Sequence, residues 1–345
     1  MRRLAGLAAA VLAGLGLALA TGADVAAATG GRAYLLGTAL LLAVGLYGAT
    51  SGIDVAAARA DRRLIVTAVT VGVLVKAVLI GAVLALAWHD PLFLLLGIVV
   101  AQIDPLSVAA LLGDGRLSPR ARTVLAAWSS FDDPITVVLT IYAAALAGDV
   151  FALSWGTGTG HAAAGLWSYA LDLVWNLTFA AVLWLLWRHV LRTRPRWAAV
   201  VLALAFAVAV WQFLMLGLAL AGLFLRPPAL LRLLPKLTTA ALYAATVLLG
   251  LLLVHGVAPI RGLTLGLAAF AAQIAVGAPL TRHLPPLDRQ HLMLAQQNGI
   301  TAIILAVRLE ASFAGVVAVV APAILVTNLV HFAANRALDR RGSAT

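Results

Sequence analysis

A chain of 345 residues that is 63% hydrophobic and only 11% charged cannot build the surface of a soluble domain, which carries about 25% charged residues. Its net charge of +11 sits in short arginine-rich breaks between apolar blocks, so it marks orientation in a bilayer and not a nucleic-acid surface. Cysteine is absent, which removes disulfides and thiolate metal sites.

The apolar blocks are close to the ~20 residues that cross a hydrocarbon core. In chain order they fall near 4–20, 33–51, 64–87, 91–113, 121–147, 165–191, 197–225, 236–257, 260–280, 291–309 and 313–333. The pattern predicts an all-α, polytopic membrane protein with no soluble domain. The first block follows Arg2 and Arg3 and ends in Ala18-Leu19-Ala20, which also fits a secretory signal with a small-residue cleavage site. Its length favours retention as a membrane helix.

Lys and Arg concentrate in cytoplasmic loops. With Arg2 and Arg3 inside, the loops bearing Arg59, Arg62 and Arg63, then Arg116, Arg120 and Arg122, then Arg188 to Arg196 all fall inside. The alternation then slips by one crossing. It is restored if 197–225 crosses twice, as two short helices around Trp211–Gln212. Every Lys and Arg except Arg32, Lys76, Arg261 and Arg308 then lies inside. The expected topology has twelve crossings in the cell membrane, with both termini cytoplasmic.

Four charges remain at mid-membrane depth: Lys76, Asp104, Asp132 and Asp133, on three consecutive spans. An ionisable side chain there costs roughly 2.5–3.5 kcal/mol on insertion scales and normally faces the bundle interior or a water-filled cavity. Asp104 precedes Pro105, whose ring removes a backbone donor and breaks the helix. Such a break frees carbonyls that coordinate cations, a recurring device at ion sites in transporters. A plain proline kink with Asp104 paired to Lys76 is the simpler alternative. In Ser129-Ser130-Phe131-Asp132-Asp133-Pro134, adjacent carboxylates point about 100° apart on a helix, so one can face a cavity while the other meets a cationic or hydroxyl partner. Burial and nearby negative charge disfavour an ionised carboxylate, so a proton and a small cation can compete for it. A buried Asp capping a broken helix end is the alternative there.

Asp104-Pro105, followed some 28 residues later by Asp132-Asp133, resembles the cation/proton antiporter superfamily, the sodium/proton exchanger fold. That family carries Thr-Asp-Pro on one broken helix and Asn-Asp or Asp-Asp on the next. Gly52-Ile53-Asp54 before Arg59 resembles its second-helix ending, and Leu216-Gly217 through Ala221-Gly222-Leu223 its Gly-Ala-Phe-Leu-Ala-Gly-Leu stretch. Gln296-Gln297-Asn298-Gly299 is similar to the break in its second discontinuous helix.

The resemblance implies two inverted three-helix repeats with crossed discontinuous helices, at 64–147 and 260–333. The stretch 165–257, with 1–51, would form scaffold helices and the face of a homodimer. It also implies a secondary antiporter, not an enzyme, working by alternating access with no cofactor and exchanging Na⁺ or K⁺ for protons. Asp133 would be the ion-binding carboxylate, with Asp132, Asp104 and Ser129 beside it. Asp133 and Asp104 would hold the cation transiently, and Gln297, Asn298, Gly299 and Thr301 would form the second break. An Asp-Asp pair resembles the electrogenic branch.

Three departures stand out. Ile103 replaces the family's Thr, Asn298 stands where one branch has Arg, and Gln273 lies where the other has a Lys that pairs with the aspartates. Lys76, on the helix that the repeat relates to that of Gln273, is the candidate counterion moved across the pseudo-twofold; a lysine lining the bundle is the alternative. Two other readings are a non-transporting scaffold of the same fold and an intramembrane aspartyl protease. The protease would need Gly-x-Gly-Asp and Tyr-Asp motifs, and neither occurs at span depth. No nucleotide loop, zinc cluster or Gly-x-Ser-x-Gly motif is present. Asp172 and Asn176, one turn apart, are expected to share a structural hydrogen bond.

Overall fold

The computed structural model describes residues 2–22, 29–105, 108, 117–150, 166–296 and 298–342. Its described residues form helices and no strand. In lipid a helix satisfies its backbone polar groups within the segment, so apolar blocks of this length have little alternative. The helices are α1 (Arg2–Thr21), α2 (Arg32–Ser51), α3 (Arg59–Trp88, with a π turn at Ala68–Gly72), α4 (Leu92–Val99), α5 (Pro119–Val150), α6 (Leu166–His189) and α7 (Pro195–Gln212). After them come α8 (Met215–Ala221), α9 (Pro228–Leu252), α10 (Pro259–Leu280), α11 (Pro286–Met293), α12 (Ile300–Glu310) and α13 (Val316–Gly342). Prolines open α7, α9, α10 and α11, where a missing N–H costs no hydrogen bond. Among the described residues, seven helices are long and apolar enough to cross a membrane. The protein is a multi-pass membrane protein.

Three apolar blocks are interrupted. The block 91–113 leaves the helix after Val99, and residues 100–104 are irregular up to Pro105. The block 291–309 belongs to an interrupted pair that starts earlier: α11 begins at Pro286, residues 294–296 and 298–299 are irregular, and α12 resumes at Ile300. The block 197–225 breaks after Gln212, where Phe213 takes a left-handed φ of 58°. It does not divide into equal halves. α8 has seven residues, and turns and extended chain follow it to Leu225.

The chain forms two compact units, with α5 and α12 shared between them. The first contains Met1–Ile53, Ile141–Val254 and Val307–Ala314. Within it α1 and α9 approach through Gly14 and Gly250, whose missing side chains admit the partner backbone, as small residues do between membrane helices. Asn176 bridges α6 to the Gly217 stretch. Its amide donates to the Asp172 carbonyl at 2.9 Å, and its oxygen accepts from the Gly217 N–H at 2.9 Å. The expected pair therefore forms through the backbone of Asp172.

The second unit contains Asp54–Thr140, His255–Ala306 and Gly315–Thr345. Along the chain it runs long helix, interrupted helix, long helix, twice: α3, α4 with its break, α5; then α10, α11 with its break and α12, and α13. α3 ends at His89 in the left-handed conformation, and Asp90 then caps α4 by accepting from the Leu92 N–H at 3.0 Å. α3 and α4 touch backbone to backbone. A methyl group on Gly97 would lie 2.6 Å from the Gly81 nitrogen and 2.7 Å from the Ala77 oxygen. Neither atom can rotate away. Gly97→Ala is therefore expected to destabilise the protein by about 1–3 kcal/mol, read as a lowered midpoint of thermal unfolding in detergent. Gly16→Ala, at a position with open space around it, is the matched control and should leave the midpoint nearly unchanged.

Candidate functional site

The second unit holds all of the mid-membrane charges. Pro105 ends the first interruption, and Asp104 just before it is 1% exposed. α5 carries Asp132 and Asp133, α3 carries Lys76, and all three are fully buried.

The two adjacent carboxylates diverge. Asp132 Oδ2 accepts from Lys76 Nζ at 3.1 Å and from the Ile103 N–H at 3.3 Å. Its Oδ1 has no hydrogen-bond partner among the described residues. Lys76 also donates to Gln273 Oε1 at 3.3 Å and lies 5.7 Å from the Trp128 ring, within cation–π range. Gln273 is itself held by its Nε2, which donates to the Leu292 carbonyl at 3.1 Å. So α10 offers Gln273 as an acceptor for the ammonium that α3 supplies.

Asp133 meets neutral donors instead. Its Oδ2 accepts from the Thr301 hydroxyl at 2.8 Å. Gln102, in the orientation that satisfies both ends of its amide, donates to Asp133 Oδ1 at 2.8 Å and accepts from the Ala302 N–H at 2.7 Å. Asp104 lies against the same stretch of chain: a methyl group on Gly299 would overlap its carboxylate. Glycine is required there because the Asp104 carboxyl group leaves no room for a side chain. Asp104 and Asp133 thus converge on residues 299–301, at the second interruption.

Two of the freed carbonyls of the first interruption, those of Val100 and Gln102, are not open, contrary to expectation. Gln296 Nε2 donates to the carbonyls of Val100 and Gln102, both at 2.9 Å. An unpaired buried carbonyl is costly, and this one amide satisfies two. Asn298 joins the network through its carbonyl, which accepts from Asn328 at 3.1 Å. Ser129, expected among the ligands, turns its hydroxyl back to the Ala126 carbonyl at 3.2 Å. That is the local bond a helical serine makes when nothing stronger is near. Gln297 lies outside the described residues. Among the described residues no three His, Cys, Asp or Glu side chains converge as a metal cage. The hydrogen-bond partners of the Asp133 carboxylate are neutral side chains, Thr301 and Gln102. Gln102 and Gln296 were not singled out as site residues by the sequence, because an amide in an apolar block declares its partner only in three dimensions.

No protein-family model matches the chain, and no curated protein matches it by sequence. Its fold is similar to the solved structure of the sodium proton antiporter MjNhaP1 from Methanocaldococcus jannaschii at pH 8. The TM-score is 0.69 at 15% sequence identity, over 94% of this chain and 92% of that one. The fold is that of a sodium/proton antiporter.

Proposed function

We propose that this protein is a secondary antiporter that exchanges a monovalent cation, Na⁺ or K⁺, for protons by alternating access. The observation that carries the reading is the contrast between two neighbouring buried aspartates. Asp132 is matched by the Lys76 ammonium, whereas Asp133 is held among the described residues by the neutral donors Thr301 and Gln102. An isolated ionised carboxylate is very costly away from water. Asp133 is therefore stable there with a proton or with a cation on it, and exchange is the replacement of one by the other. Asp104, on the same residues 299–301, and the second oxygen of Asp132 are further oxygens that a bound cation could use.

In this reading the loaded forms, protonated or cation-bound, are charge-compensated and reorient, while the empty site does not. That rule couples the two fluxes. The proposed topology keeps twelve crossings with both termini cytoplasmic, and the helices of the first unit are the proposed homodimer face. The test is reconstitution into liposomes loaded with a pH-sensitive dye, followed by external Na⁺, K⁺ or Li⁺. At least one of these should drive proton movement that choline does not. A folded protein inert to every monovalent cation would instead be a non-transporting scaffold.

A further inference from the structure

At one end of the second unit α3 and α10 part. They are close at Gly72, in the π turn, where an added methyl would meet Val276 at 3.3 Å and Leu280 at 3.5 Å. Beyond that point they open onto a cavity of about 520 Å³. Its wall carries Arg59, Arg62, Arg63, Arg282 and His283. The one carboxylate in the wall among the described residues, Asp61, is already engaged by Arg120, with contacts of 2.6–3.2 Å from two guanidinium nitrogens. Among the described residues no carboxylate pairs with the four arginines of the wall.

Four guanidinium groups around one hollow repel each other, and no carboxylate pair among the described residues offsets that. Guanidinium forks match phosphate oxygens in paired hydrogen bonds. Basic pockets at the ends of membrane helices suit anionic lipid headgroups, because the cytoplasmic leaflet is anionic. The surroundings point to the same occupant. Val66 and Val71, in the next turns of α3, are 57% and 56% exposed, so an apolar surface begins where the basic wall ends. A molecule with a phosphate head and an acyl tail uses both; a free phosphate uses only the first.

We propose that this cavity binds the phosphate headgroup of an anionic phospholipid. The site is independent of the exchange reading and stands whether or not the protein transports ions.

The experiment is thermal unfolding of the delipidated full-length protein in detergent, with phosphatidylglycerol or phosphatidylcholine added. A ligand that binds the native state raises the midpoint by mass action. Phosphatidylglycerol should raise it and phosphatidylcholine should not. Arg62→Gln, Arg63→Gln and Arg282→Gln together should weaken the response at least about tenfold in lipid concentration, since each basic group near an anionic surface is worth roughly fivefold. Removing as many charges elsewhere, by Arg192→Gln, Arg194→Gln and Arg196→Gln, should leave it intact. Thr67→Trp, which intrudes on the cavity and keeps every charge, should weaken the response and decides the matter should the triple variant not fold. Equal responses to the two lipids, an undiminished response in Thr67→Trp, or inorganic phosphate reproducing the whole effect each overturn the proposal.

Discussion

Asp133→Asn is expected to reduce cation-driven proton exchange to the level of empty liposomes while leaving the protein folded. Asparagine has nearly the same shape and can still meet the Thr301 hydroxyl and the Gln102 amide, so the packing around position 133 has no reason to change. What disappears is the group that takes up and releases H⁺. A buried carboxyl is also a poor contributor to stability, and replacing it by a neutral isostere is neutral to favourable. The thermal midpoint should therefore hold or rise as transport vanishes. Exchange that persisted in a folded Asp133→Asn protein would move the ion site elsewhere. Asp133→Glu, which keeps the acid but displaces it by one methylene, should retain a slowed exchange and so separate lost chemistry from lost geometry.

The second large effect is on folding. Lys76→Ala should cost about 3–5 kcal/mol, the usual result of deleting one member of a buried ion pair and stranding the other. The stranded group is Asp132, fully buried and left with the Ile103 N–H as its one remaining donor of those described. If that is the cause, Lys76→Ala combined with Asp132→Asn should recover much of the loss, because no charge remains unmatched. The cycle of two single variants and the double isolates the interaction. A lysine merely lining the bundle gives a different pattern: a small single effect, and additivity with Asp132→Asn. Gln273→Leu supplies a third arm. It removes an acceptor from Lys76 but no charge, so a loss of about 1–3 kcal/mol is expected.

Much of this was legible in the sequence where a residue conflicts with its surroundings. An Asp beside a Pro inside an apolar block marks the first interruption, and the run Gln296 to Gly299 marks the second. Lys76 could be matched with the aspartates by depth alone. The break after Gln212 has no Gly or Pro to announce it; only the parity of arginine-bearing loops required it. Local cues failed elsewhere for a physical reason. Nothing near Gln296 in sequence says that its amide closes carbonyls almost 200 residues upstream, so those carbonyls read as cation ligands. Ser129 reads as a ligand from its position in a motif; its hydroxyl donates within its own helix, and its oxygen keeps lone pairs that could still accept or coordinate. The π turn at Ala68–Gly72 lies in an ordinary apolar stretch and left no trace in composition.

That Asp132, Lys76, Gln273, Asp133, Thr301 and Gln102 belong to one compact unit has an energetic corollary. On the proposed exchange reading, dehydrating those groups is an expense incurred a single time, when the chain assembles, and not renewed with every turnover. Each polar side chain would keep its mates throughout the proposed reorientation. On that reading, substitutions remote from the aspartates should alter the rate of exchange while leaving cation affinity alone.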